Sequence, residues 1–190
     1  MKTLLTLFVL FFSSSVFANN ASEFEIGGMS IGDNLIDFYS VEEINNFPNY
    51  DDLPSNMEYR ILEIYTKVSN QFDAYQIYIK PNDNKFIIHG ISGMIECLDD
   101  NDCNNRFLSI EDDLDNFFNI EKNTKTFEGK HSDDPSGNSK FKIKYYKLEG
   151  GNASLFSTVW SSKMNYQSHV AVDILTIDAD KWVKSNYGTD

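Results

Sequence analysis

Two cysteines stand where one hydrophobic pattern gives way to another, and no third accompanies them. Upstream of Cys97 the run 85–97 is rich in Ile and short enough to read as a buried strand. Downstream of Cys103 the chain spaces Phe107, Ile110, Leu114, Phe117 and Phe118 on one face of a helix reaching about residue 119, with Asp112, Asp113 and Asp115 opposite. Asp100 or Asp102 caps that helix, where acids suit the helix dipole. A Cys97–Cys103 bond would fasten strand to helix at their junction.

The first eighteen residues supply the chemical reason to expect that bond. Lys2 precedes an apolar run over 4–12, three serines, and Val16-Phe17-Ala18, the pattern of a secretory signal peptide cleaved after Ala18. The run is shorter than the roughly 20 apolar residues of a membrane anchor, so no span is expected after signal removal. No cysteine follows it to take an N-terminal lipid. In an oxidising compartment an even cysteine count predicts a disulfide, and Cys-x-x-Cys, the usual redox pair, is absent. Its short loop limits the stabilisation to about 2–3 kcal/mol. Loss of Lys2 leaves 15 basic against 29 acidic residues, a net charge of −14, which disfavours nucleic acid and anionic lipid as partners. The remaining 172 residues, 19–190, suffice for a single domain.

Periodicity gives a short helix from Met29, then Ser40 and Glu43 as a capping box for a second helix ending before Pro48. Strands follow at 59–68, 74–80 and 85–97, the third carrying Gly90 and Gly93 as marks of a bulge or close backbone approach. After the cysteine helix, 128–139 is the longest loop signal, followed by strands at 141–148, 153–162 and 169–177, a Gly150-Gly151 hairpin turn, and a closing helix capped by Asp178. This order predicts an α+β fold, mainly an antiparallel sheet with helices packed on it. It also permits two α-β-β-β halves, 22–98 and 99–190.

One motif competes with the helix for the same residues. Asp100, Asp102, Asn104 and Glu111 occupy positions 1, 3, 5 and 12 of a twelve-residue span, the spacing of a calcium loop, with Asn105 where glycine is usual. Calcium is therefore an alternative cofactor; no other is indicated. His89, His131 and His169 lie on three different elements without zinc-ligand spacing, and Gly90-Ile91-Ser92-Gly93 falls short of a nucleophile elbow. Lys140, Lys142 and Lys144 alternate with Phe141, Ile143 and Tyr145, which places three lysines on one side of a strand. They serve either an anion or partner, or a solvent-facing edge guarded by lysine.

Gly28-Met29-Ser30-Ile31-Gly32, followed by a short helix, resembles the opening helix of the small outer-membrane-assembly lipoprotein family. The Asn, Asp and Lys bias with a compact signal also resembles small exported proteins of AT-rich Gram-negative bacteria, which implies a compartment and no activity. The sequence expectation is a periplasmic or secreted, non-enzymatic module that binds a protein or envelope component. A periplasmic hydrolase and a calcium-stabilised module are the alternatives.

Overall fold

The computed structural model describes residues 20–50, 58–65, 71–118 and 124–187. The expected signal segment, the Pro54 loop and the 66–68 end of the first expected strand lie outside them. The elements run α1 (Val41–Asn46), β1 (Arg60–Tyr65), β2 (Ala74–Ile79), β3 (Gly90–Glu96), α2 (Asp100–Phe118), β4 (Thr124–Lys130), β5 (Lys140–Leu148), β6 (Gly151–Val159), β7 (His169–Thr176) and α3 (Ile177–Tyr187). The seven strands among the described residues join one antiparallel sheet in the order β1-β2-β3-β7-β6-β5-β4. The fold is α+β as expected. The spans 22–98 and 99–190 contribute three and four strands to the same sheet, joined where β3 pairs with β7.

Period two sends alternate residues to opposite faces of the sheet. One face carries Leu62, Ile77, Ile91, Leu155, Val172 and Ile174, all buried beneath α2 and the N-terminal segment. Phe107, Ile110, Leu114 and Phe118 are the buried face of α2, and Phe24 packs on Phe117 and Phe118 at 5.3 Å. The other face carries Tyr59, Ile61 and Leu175, which pack with Ala179 and Trp182 of α3.

Cys97 and Cys103 form the expected disulfide across the junction of β3 and α2. The cap differs from the expectation: Asp99 accepts the Asp102 N–H at 2.8 Å, while the Asp102 carboxylate accepts the Leu98 N–H at 3.0 Å. The closing helix begins similarly, with Thr176 Oγ1 accepting the Ala179 N–H at 3.3 Å in place of Asp178. Ser40 and Glu43 form the predicted capping box.

The helix expected from Met29 is absent. Gly32 and Leu35 donate N–H groups to Ile88 and Phe86, and Asp33 accepts from Ile88 through its carbonyl, so the segment lies along a neighbouring loop as irregular chain. Only Leu35–Asp37 forms a 3₁₀ turn. β3 starts at Gly90 because 81–87 is a turn in which Asp83 accepts the Lys85 and Ile87 N–H groups. Gly93 marks close approach: a Cβ there would lie 2.7 Å from the Phe72 ring and 2.8 Å from Ile26. β4 is the unforeseen strand, and the loop signal at 128–139 contracts to the stretch after Lys130.

Candidate functional site

The feature that most invites chemistry lies on the face that α2 leaves uncovered. There the register aligns one residue from every strand in a transverse polar row: Glu63, Gln76, Ser92, Asp173, Ser154, Tyr145 and Lys125. The next row is apolar, running Tyr65, Ala74, Met94, Ala171, Phe156, Ile143 and Phe127. α3 covers the opposite flank of the polar row, where Tyr78, Gly90, Leu175 and Asn152 align. Within the apolar row Tyr65 is 68% exposed and Phe127 47%, and Met94, Phe156 and Ile143 are half-buried.

Asp173 is the centre of the polar row. Its Oδ2 accepts from Ser154 Oγ at 3.1 Å, and Ser92 stands opposite on β3. Oδ1 is sealed from solvent and accepts no hydrogen bond among the described residues. Burial pushes the Asp173 carboxyl up to about 6, against the opposing pull of Ser92 and Ser154 and with a further push from Asp180. Asp180, on α3, accepts from Asn152 and Lys184 at 2.7 Å. Both serines are themselves buried and Asp173 between them is half-buried, so three polar groups share one largely enclosed strip between β3, β7 and β6.

Past the apolar row, the face ends in aromatic rings. His169 packs edge-on to Phe156 at 5.6 Å and its Nδ1 lies 3.1 Å from the Gln167 carbonyl. His131 lies 4.2 Å from Trp160, which meets the exposed Tyr166 at 5.0 Å. His89 sits elsewhere, against Tyr59 at 5.5 Å. Burial lowers the pKa of both His89 and His169, favouring the neutral ring. His89 is thus held apart from the other two, while His131 lies close enough to His169 to disfavour its charge, and both stand beyond the apolar row from Asp173. Below them Asp134 anchors the 131–139 loop, and the Ser139 and Ser136 hydroxyls hold its carboxyl well below the usual range.

The calcium-loop residues lie on the other face and are helical throughout. Asp100, Asp102, Asn104 and Glu111 stand in α2 where the loop reading expects a loop: the Asp99 cap starts a helix, which sets Asp100, Asp102 and Asn104 within about one turn and Glu111 about three turns beyond Asp100. Asp102 pairs with Arg106 at 3.0 Å and Asn104 is exposed. Among the described residues, no group of three or more His, Cys, Asp or Glu side chains is placed to hold a metal ion.

Glu111 and Asp100 instead meet the lysine stripe. Lys144 Nζ lies 2.7 Å from Asp115 and 3.0 Å from Glu111, Lys142 lies 3.9 Å from Glu111, and Lys140 lies 3.9 Å from Asp100. Tyr146 also donates to Asp115, at 2.9 Å. The anion facing the lysines is the chain's own helix, and Asp115 is a paired group where the sequence suggested a wet one. Although burial opposes its charge, the bonds to Asp115 and Glu111 raise the Lys144 pKa overall.

Among the described residues no helix is long and apolar enough to cross a membrane. No protein-family model, curated protein or solved structure matches this chain.

Proposed function

We propose that the chain is an exported, non-enzymatic binding module that holds a protein of the cell envelope against the uncovered face of its sheet. The observation that carries this reading is the apolar row from Tyr65 to Phe127, which crosses all seven strands beside a polar row and is left partly exposed. Exposed apolar surface of that continuity is unfavourable in a monomer unless a partner covers it. The disulfide suits an oxidising compartment, and residues 1–18 supply the export signal. The compartment is the periplasm or the exterior.

Phe156→Asp with Ile143→Asp tests the reading. Both positions are half-buried on the face and far from the α2 core, so the fold should survive, as checked by its melting curve. In osmotic-shock extracts the wild-type chain should elute in a complex larger than the free protein, and the double variant at the free size. Identical elution of the two as free protein would overturn the proposal.

A further inference from the structure

We infer that the outer edge of β4 is a docking edge for an extended acidic segment of a partner protein, which joins the sheet as an eighth strand. This rests on the binding-module reading but concerns a different surface, and its test separates the two.

The two edges of the sheet are treated differently. Along β1 the outer edge is occupied: Tyr50 donates to the Ile61 carbonyl at 3.0 Å, and Glu63 donates to Pro48 at 2.9 Å. Along β4 nothing among the described residues pairs outward, although the strand is seven residues long, contains no proline and is exposed from Lys125 to Lys130. Its polarity follows from its register. His131 donates to the Ser139 carbonyl at 2.9 Å, which continues the β4–β5 pairing by one step. Hydrogen-bonded pairs alternate along an antiparallel ladder, so Lys125, Phe127 and Gly129 direct their backbone groups at β5. Thr124, Thr126, Glu128 and Lys130 therefore present N–H and C=O groups outward. Such a row is a template for strand addition.

Charge selects what can be added. Segment 124–148 contains six lysines and three acids, a net +3, within a chain of 16 basic and 29 acidic residues; everything else sums to −16. Lys142 and Lys144 are engaged by α2. Lys125 and Lys130 are exposed and have no ion pair among the described residues. Screening over about 8–10 Å confines the distant acids' influence and leaves the edge locally basic. Phe127 lies between these lysines and ends the apolar row. The matching segment is extended, with an apolar residue opposite Phe127 and acids opposite Lys125 and Lys130, since cross-strand neighbours interact directly. A second copy paired about Phe127 would set Gly129 against Lys125 and Thr124 against Lys130, with no acid opposite either.

The probe is a capped ten-residue Val-rich peptide with a central Phe, a Glu two residues after it to face Lys125 and a Glu three residues before it to face Lys130, titrated into the ¹⁵N-labelled, disulfide-bonded chain. Saturable shifts should appear in β4 and β5, with new exchange protection at the Thr126 and Glu128 amides. The peptide with Lys in place of Glu should bind at least tenfold more weakly, and Lys125→Glu with Lys130→Glu should invert that preference. Thr126→Pro removes an outward N–H, leaves the inward ladder whole and should abolish binding. No shift at 124–130 with millimolar peptide, equal binding of both peptides, or self-association through β4 without peptide would each overturn the inference. Shifts at Met94, Phe156 and Ala171 instead would overturn it while supporting the open-face reading.

Discussion

Replacing Asp173 with Asn should make the protein more stable at neutral pH and leave it unchanged in acid. The side chain keeps its shape, and its amide oxygen can still accept from Ser154, which lies 3.1 Å away in the wild-type chain. What the substitution removes is the charge of a half-buried carboxylate, one of whose oxygens is sealed from solvent. Burial moves the carboxyl from the ordinary 3.8 to about 6, and at about 1.4 kcal/mol per pH unit the ionised form is about 3 kcal/mol less favourable in the folded chain than in the unfolded one. Well below pH 3.8 both states hold the proton, and wild type and variant should match. As pH rises from 4 to 6 the unfolded chain ionises first and the wild type loses stability. Above pH 7 the gap should reach about 3 kcal/mol, or about 6–12 °C in melting temperature for a chain this size. Urea titrations of both proteins at pH 3.5, 5 and 7.5 measure it, because contributions common to both proteins largely cancel in the difference. If Asp173→Asn instead lowers stability by 1–3 kcal/mol at pH 7.5, the carboxylate is a structural hydrogen-bond hub and the reasoning fails.

Gly93→Ala should cost about 1–3 kcal/mol in a denaturant melt, because the new methyl meets Phe72 and Ile26 inside contact distance. Lys144→Met should cost about 2–3 kcal/mol: Lys144 is only 8% exposed, and its loss strands Glu111 and Asp115 without their cation. Reduction of Cys97–Cys103 should lower stability by about 2–3 kcal/mol, read as a shift in the urea midpoint. Calcium and chelator should give the same melting curve, since Asp100, Asp102, Asn104 and Glu111 are dispersed along α2; a midpoint that climbs with calcium concentration would contradict that.

The elements with strong local signals were legible in the sequence. Ser40 and Glu43 announced α1, the Phe107-Ile110-Leu114 spacing announced α2, and cysteine count with an expected signal peptide announced the disulfide. β4 was not legible because TKTFEGK has one large apolar residue and lies at an edge, where burial imposes no alternation. The helix expected from Met29 failed because Gly27, Gly28 and Gly32 adopt positive φ and the backbone bonds to the loop before β3. The lysine stripe was visible but its orientation was not, since only tertiary packing reveals that α2 covers it. Asp173, Ser92 and Ser154 were missed because register alone unites positions so distant in sequence. A signal existed: Asp173 interrupts an otherwise apolar strand, HVAVDILT, where an acid needs a reason.

The uncovered face as the working surface is tested most directly by photo-cross-linking in intact cells of the native host. A photoreactive residue at Phe156 should give discrete adducts with an envelope protein, and the same residue at Leu108, exposed on α2, should give none. Adducts of equal yield from both positions, or from neither, would contradict the account.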